Sequence, residues 1–256
     1  MKSNFNKDKL LTIGILPIMW LIYFAFEIVS GRVTDLYTLI MNLLLVFVFA
    51  FVGYIIYHLS NIYSDGFKGK KLFIIFIILM LIDQGGKLII KLNFFDSYYE
   101  IIPKFLSFDP IINTHGSWLN ARFNFNISFP LLILINFIAL FIFFELYRYI
   151  KFKSGKNTFL GDMCFVFIFA GALCSLIDKV FYGGSLDFIG ISDLFIADIK
   201  DIYINLGLLF FIMATYKSDF LKDDGNSSLK DDWQSIKNFL SFIKEDIKRN
   251  IKKEKA

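Results

Sequence analysis

The sequence predicts an all-α polytopic membrane protein with about six transmembrane helices. Of its 256 residues, 56% are hydrophobic and 33 are Phe, which is more apolar surface than one soluble core would bury. A helix needs about 20 predominantly apolar residues to cross a bilayer. Runs of about that length occur at residues 10–29, 36–59, 72–90, 129–149, 158–177 and 198–216.

The basic residues that flank these runs predict their orientation, because lysine and arginine gather on the cytoplasmic side of membrane proteins. Clusters precede the first run, separate the second from the third and the fourth from the fifth, and follow the sixth. They comprise Lys7, Lys9, Lys68, Lys70, Lys71, Arg148, Lys151, Lys153, Lys156, Lys217 and Lys222. Both termini are therefore predicted to be cytoplasmic, with loops 30–35, 91–128 and 178–197 on the outer side.

Three units are predicted along the chain: a two-span appendage at 1–63, a four-span core at 64–221 and a cytoplasmic tail at 222–256. Turn-forming Gly, Ser and Asp residues in 61–71 mark the first boundary. In the tail, apolar residues recur at helical spacing among lysines, which is typical of an amphipathic helix on an anionic membrane surface. Packing against cytoplasmic loops or a partner is the alternative interpretation.

Several kinds of site are excluded. No phosphate-loop or dinucleotide pattern is present, so we expect neither nucleotide nor nucleic-acid binding. His58 and His115 are predicted on opposite sides of the membrane, which excludes a His-rich zinc site and argues against a Ser–His–Asp triad. Cys164 and Cys174 lie about 15 Å apart if their run is helical, too far for a disulfide. The remaining chemistry is that of carboxylates.

Aspartates are concentrated in residues 175–207, between and beside two membrane spans. A charged side chain at membrane depth costs about 2.5–3.5 kcal/mol on insertion scales, which suggests a function for those that stay. Two carboxylates held close together share a proton, so that one acts as acid and the other as base. The alternative is that several acids bind a divalent cation. The acids are Asp178, Asp187, Asp193, Asp198 and Asp201.

Spacing limits how these acids can combine. Asp198 and Asp201 are three residues apart at the start of the last span, so in a helix they share a face. Asp187 lies in the preceding loop and can meet either of them. Asp83 and Lys87 form an i, i+4 pair at the outer end of the third span.

Four blocks carry a resemblance to a known family. Residues 81–90 (LIDQGGKLII) look like a span-ending D-Q-x-x-K motif, and 101–118 (IIPKFLSFDPIINTHGSW) look like a segment ending in N-T-G. Residues 170–189 (AGALCSLIDKVFYGGSLDFI) resemble G-G-A-x-G-N-x-x-D-R followed by V-x-D-F. Residues 199–207 (IKDIYINLG) resemble the end of F-N-x-A-D-x-x-I-x-x-G. In this order the motifs are similar to those of type II lipoprotein signal peptidases, membrane aspartyl peptidases that cleave lipidated prolipoproteins.

The resemblance implies a catalytic pair of aspartates. It matches the Asp of V-x-D-F to Asp187. For the second acid, the letters FIAD favour Asp198, whereas the spacing back from Gly207 favours Asp201. A gap inside a helix rotates every later side chain by about 100°, so we expect Asp201, with Asp198 as its orienting neighbour.

By the same resemblance, Asn113, Asp178 and Lys179 position the extracytoplasmic segment or the substrate backbone, while Asp83 and Lys87 support the site. The chain departs from the family pattern near these residues. The departures are Cys174 and Ser175 for Gly-Asn, Lys179 for Arg, Asp198 for Asn and Lys200 for Ala. A lysine beside the pair would lower a carboxylate pKa.

The expected protein is a signal-peptidase-II-like enzyme of the bacterial cytoplasmic membrane, with its last four spans as the catalytic core and a small extracytoplasmic segment. It would cleave signal peptides from diacylglyceryl-modified prolipoproteins at the outer face, without metal or cofactor. Prolipoproteins and membrane lipids are the expected partners, and a monomer is expected. The alternatives are a non-catalytic paralogue that binds lipoproteins or signal peptides, and a metal-dependent lipid-processing enzyme.

Overall fold

The computed structural model describes residues 2–114, 127–217 and 229–253. Within them, six helices are long and apolar enough to cross a membrane, which confirms the six predicted spans. The third span is continuous but changes its winding, as α3, one turn of π-helix at Leu81–Gly85, and α4. The helices are α1 (Lys2–Val29), α2 (Leu36–Ile62), α3 (Gly69–Met80), α4 (Gly86–Asn93), α5 (Phe129–Ser154), α6 (Phe159–Phe181), α7 (Ile199–Lys217) and α8 (Leu229–Lys253).

Local capping sets several helix ends. Asp35 begins α2 by accepting the backbone N–H of Thr38 at 2.9 Å, and Thr158 begins α6 by accepting that of Gly161 at 3.2 Å. These side chains satisfy N–H groups that have no partner inside the first turn. Gly155, with φ of 63°, ends α5 in the left-handed conformation that glycine adopts without steric cost.

A four-stranded antiparallel sheet is built from two of the loops predicted to lie on the outer side. Its strands, in spatial order, are β1 (Tyr99–Ile102), β2 (Leu106–Asn113), β3 (Ser185–Ile191) and β4 (Phe195–Ala197). The sequence predicts a small extracytoplasmic segment here in an all-α protein, so the sheet is an addition to that prediction. The last four residues of the block 101–118, His115 and Trp118 among them, lie outside the described residues.

Successive side chains of β3 point to opposite faces, as in any strand. Leu186 and Phe188 pack with Ile90 in a small apolar cluster. Ser185 and Asp187 consequently point to the other face, toward the ends of the membrane helices. The strand therefore carries an acid to the helices while its apolar side chains attach it to the third span.

Helices α6 and α7 approach each other closely through glycine. A Cβ atom on Gly171 would lie 2.8 Å from Ile204 Cγ1, and one on Gly207 would lie 3.1 Å from the backbone nitrogen of Ile168. Larger residues at these two positions would push the helices apart. The start of α7 is thereby held against α6, which is where the acids are gathered.

The two N-terminal helices share an apolar core with the rest of the chain. Ile15 and Ile56 belong to the same buried cluster as Leu72, Met163 and Met213, and α1 packs against α7. Cys164 and Cys174 are buried and free, as their predicted spacing required. The predicted appendage is thus packed directly on the core helices.

Helix α8, in the predicted tail, packs on the end of α5. Arg148 donates to both carboxylate oxygens of Asp246, and the ring of Tyr149 lies 5.5 Å from that of Phe239 and 5.4 Å from that of Phe242. This packing corresponds to the second of the two interpretations of the tail. Binding to a membrane surface stays a prediction, and the boundary near residues 221–222 lies outside the described residues.

Candidate active site

The aspartates at the start of α7 cap the helix reciprocally. The backbone N–H of Asp201 donates to Asp198 Oδ1 at 3.2 Å, and the backbone N–H of Asp198 donates to Asp201 Oδ2 at 3.2 Å. This is a capping box in which aspartate serves at both positions. Asp198 is fully buried, whereas Asp201 is partly exposed. Of the two competing acids, Asp201 therefore presents the more accessible carboxylate.

A third carboxylate reaches the same helix end from the π-turn. Asp83 Oδ1 accepts the backbone N–H of Lys200 at 2.9 Å. The N-terminus of a helix carries a partial positive charge, which stabilises nearby carboxylates. The backbone N–H groups at this helix end, which have no acceptor within the helix, therefore offset part of the repulsion among the carboxylates.

Asp187 approaches from the sheet. It is 3% exposed and accepts the Ser185 hydroxyl at 2.5 Å and the Asn113 amide at 2.9 Å. Asn113 is a diagonal neighbour of Asp187 across the paired strands, since its own register partner is Ser185. Carboxylate oxygens of Asp187, Asp198 and Asp201 lie within 4.8 Å of one another. The structure thus brings the predicted pair, its competitor and Asn113 together.

Lys87 joins the acids of three different elements. Its ammonium is fully buried and lies 3.1 Å from Asp83 Oδ2, 2.6 Å from Asp178 Oδ2 and 2.5 Å from Asp198 Oδ2. The pairing of Asp83 with Lys87 is as predicted. Asp178, at the end of α6, pairs with this lysine across the bundle, and such a buried network requires every member to keep its partners.

Lys200 places a second ammonium inside the acid cluster. It contacts Asp198 Oδ2, donates to Ser185 Oγ at 2.5 Å, and lies 3.6 Å from Asp178 Oδ2 and 3.7 Å from Asp187 Oδ1. The family pattern has Ala at this position. The departure noted in the sequence therefore adds a cation that touches the candidate acids.

Lys179 turns away from its neighbour in sequence. Its ammonium donates to Ser175 Oγ at 2.5 Å, one helical turn earlier on α6. Asp178 and Lys179 therefore bond to different partners, Lys87 and Ser175. Ser175 is one of the residues that replace the family's Gly-Asn, so the serine and the lysine that depart from the pattern bond to each other.

Two residues of the site, Gln84 and Ser185, have no role predicted from the sequence. Gln84 donates to Asp83 Oδ2 at 3.0 Å and to Asp178 Oδ1 at 2.9 Å, which links the π-turn to α6. Ser185 bonds to both Asp187 and Lys200. Strand periodicity would indicate Ser185, because residues two apart in a strand share a face, but the sequence predicts a loop there.

The surroundings of Asp187 and Asp198 shift their pKa values in opposite directions. Burial raises the pKa of Asp187, although Lys200 and the Ser185 hydroxyl partly offset the rise. Burial would also raise the pKa of Asp198, but Lys200 and Lys87 outweigh it and the pKa falls below its usual value. Asp198 is thus held as a carboxylate, whereas Asp187 can take up a proton nearer neutral pH. Of these two acids, only Asp187 therefore has surroundings that favour proton uptake.

The three neighbouring aspartates also raise the question of a metal. Asp187, Asp198 and Asp201 offer oxygens at a suitable mutual distance. However, the ammonium groups of Lys87 and Lys200 already contact Asp198 Oδ2. A divalent cation at this oxygen would have to displace both or lie beside them, so the donor set fits a metal poorly.

Comparisons with known proteins point to one family. A family model described as signal peptidase (SPase) II matches residues 75–217. A lipoprotein signal peptidase of Staphylococcus haemolyticus is 30% identical over 152 residues, which cover 56% of this chain and 89% of that protein. One from Staphylococcus aureus is 29% identical over 175 residues, 63% of this chain and 98% of that protein. A solved bacterial membrane enzyme is 26% identical, with 65% of this chain and 98% of that chain covered and a TM-score of 0.49.

Proposed function

The chain belongs to the signal peptidase II family, and from this premise we propose that it is an aspartyl endopeptidase that removes signal peptides from diacylglyceryl-modified prolipoproteins. One observation carries the proposal. Carboxylate oxygens of Asp187 and Asp201 lie within 4.8 Å of each other, inside the region that matches the family model. At that separation both can contact one water molecule.

In the proposed reaction, Asp187 and Asp201 share one proton and bind the attacking water. The ionised acid takes a proton from the water as its oxygen adds to the carbonyl carbon before the lipidated cysteine. The protonated acid then donates to the departing amine as the C–N bond breaks. The two proton transfers return the pair to its original charge, so the step needs neither metal nor covalent intermediate.

The surrounding residues are assigned to positioning. Asp198 joins the start of α7 to Lys87 and Lys200 while it orients Asp201 through the capping box. Asn113 and Ser185 hold the two oxygens of Asp187. Buried donors of this kind keep a carboxylate in one rotamer, which is what catalysis at a fixed distance requires.

We also propose that the site faces outward and that both termini are cytoplasmic. Asp83 and Lys87 lie near one end of the third span, whereas Lys68, Lys70 and Lys71 lie at its other end. Since positive residues mark the cytoplasmic side, the acids belong to the outer interface. There a monomer among membrane lipids would meet a translocated prolipoprotein.

The test is cleavage of a lipidated precursor by the purified full chain, with a chelator present. The proposal expects cleavage by the wild type and a loss of at least about a hundredfold in Asp187→Asn and in Asp201→Asn, with all three proteins folded and binding the precursor. Binding without cleavage by the wild type would instead identify a non-catalytic paralogue. Activity that disappears on chelation and returns with added Mg²⁺ or Zn²⁺ would identify a metal enzyme.

A further inference from the structure

The connection between α1 and α2 reaches over to the turn that joins β3 and β4. Arg32, in this connection, donates to the backbone carbonyl of Asp193 at 2.7 Å and to that of Leu194. Its other arm pairs with Glu27 at 3.2 Å, and Glu27 is fully buried. One guanidinium nitrogen of Arg32 therefore bonds to Glu27 and the other bonds to the β3–β4 turn.

A second polar contact reaches the same turn from α2. Asn42 is fully buried and donates to Ser192 Oγ at 3.1 Å, while its backbone carbonyl accepts the indole N–H of Trp20 at 2.8 Å. Ser192 has φ of 49°, in the left-handed region that non-glycine residues seldom adopt. Such a conformation persists when its surroundings stabilise it, and here α2 supplies a hydrogen bond.

Aromatic packing completes the contact. The ring of Phe195, at the start of β4, lies 5.3 Å from the ring of Tyr23 and 6.2 Å from that of Trp20, both on α1. Aromatic pairs at these separations and tilts are attractive beyond the area they bury. The turn is thus held by two side-chain donors and two rings of residues 1–63.

This turn lies between the two halves of the acid cluster. β3 carries Asp187 into it, and β4 leads out of it to Asp198 and the first turn of α7. The two strands pair with Ile189 opposite Ala197, so the hairpin is short. A displacement of its tip would therefore move Asp187 relative to the start of α7.

We propose that residues 1–63 form a positioning clamp for the catalytic hairpin, with Arg32 as its main contact and Asn42 as its second. The clamp rests on the proposed function, because it holds Asp187 at its working distance from Asp201. Glu27 orients Arg32, and Asn42 supports the left-handed turn residue. None of these residues touches the reacting atoms; each acts through the β3–β4 turn.

The test compares two arginines with similar partners in the full-length protein. Glu27→Gln/Arg32→Met removes the clamp's ion pair without leaving a buried charge unpaired, and Arg32→Lys keeps a cationic donor near the turn carbonyls. The control variant is Arg148→Met. Arg148 lies near the C-terminal end of α5, where it pairs with Glu145 and Asp246. The readouts are kcat and KM on a lipidated precursor, with hydrogen exchange of residues 185–198 measured in parallel.

The clamp predicts that Glu27→Gln/Arg32→Met lowers kcat by roughly ten- to a hundredfold, with KM within about twofold, since small misplacements of catalytic groups have effects of this size. Hydrogen exchange in 185–198 should rise, Arg32→Lys should regain part of kcat, and Arg148→Met should leave kcat unchanged. Unchanged kcat and unchanged exchange in the double variant would overturn the clamp, even if its melting temperature falls. A wild type that does not cleave would overturn the proposed function instead. The clamp would then be tested by hydrogen exchange of residues 185–198, and unchanged exchange in the double variant would overturn it.

Discussion

Two buried networks, near opposite ends of the core spans, treat carboxylates differently. At one end Asp162 accepts the hydroxyl of Tyr147 at 2.6 Å and the backbone N–H of Phe67 at 2.7 Å. Both donors are neutral and local to the junction of α5, α6 and the segment before α3. At the other end, Asp187, Asp198 and Asp201 lie close to one another, and Lys87 and Lys200 both pair with Asp198.

The contrast distinguishes a carboxylate that supports the fold from carboxylates that are candidates for catalysis. A single carboxylate with a short hydrogen bond to each oxygen, as in Asp162, stabilises a junction between segments. Carboxylates within contact of one another repel, so the fold must keep them together with cations and helix-end N–H groups. An arrangement that needs so much support suggests that the acids are retained for chemistry.

The largest expected effect comes from the proposed pair. Asp187→Asn and Asp201→Asn should each lower kcat by roughly 10²- to 10⁴-fold, because a neutral amide cannot transfer the proton. Asp162→Asn is the matched control: it should lower the melting temperature in detergent while kcat at low temperature stays near wild type. Equal loss of kcat in all three variants would mean that Asp162 does not differ in role from Asp187 and Asp201.

The next effect concerns Asp198, the competitor of Asp201. Asp198→Asn removes the charge that faces Lys87 and Lys200, and breaking a buried ion pair typically costs about 3–5 kcal/mol. Its melting temperature should therefore fall more than that of Asp201→Asn, and Asp198→Asn/Lys200→Met should recover part of the loss. If Asp201→Asn cleaves normally while the stable double variant is inactive, the catalytic assignment passes to Asp198.

Lys200 gives a prediction about pH. Burial raises the pKa of Asp187 and the nearby Lys200 lowers it, so Lys200→Met should raise that pKa further. A pair that needs one shared proton works between the first and second ionisation. When the pKa of Asp187 rises, this window moves to higher pH, and the acid limb of kcat against pH should move with it. A profile that stays in place, or moves to lower pH, would remove Lys200 from the electrostatics of the pair.

The smallest effect lies in the structural network. Tyr147→Phe keeps the ring that stacks on Phe165 at 4.0 Å but removes the hydrogen bond to Asp162. Leaving a buried acceptor with one bond fewer costs about 1–3 kcal/mol, so the melting temperature should fall with no change in kcat or its pH profile. A changed pH profile would show that the two networks are coupled.

The sequence was sufficient for the spans because length and apolar composition alone decide whether a helix can cross a bilayer. It also predicted that Asp187 meets the acids at the start of the last span, and that Asp83 pairs with Lys87, since local motifs and helix periodicity carry that information. It did not find the sheet, whose strands are short and lie in loops with aromatic and polar residues intermixed. Nor did it connect Glu27 and Asn42 to the site. Glu27 pairs with Arg32, which bonds to a residue 161 positions away along the chain, and Asn42 bonds to one 150 positions away. Periodicity cannot bridge such separations.

The π-turn at Leu81–Gly85 has a consequence for every residue that follows it in the third span. A wide turn accommodates one more residue than an α-turn, so the helix after Gly85 is rotated by about 100° relative to an uninterrupted one. With this rotation Lys87 reaches Asp178, and Ile90 packs on Leu186 and Phe188 of the sheet. Deleting one residue from the turn would rotate both away together. The electrostatic and apolar attachments of the hairpin thus depend on the same inserted residue.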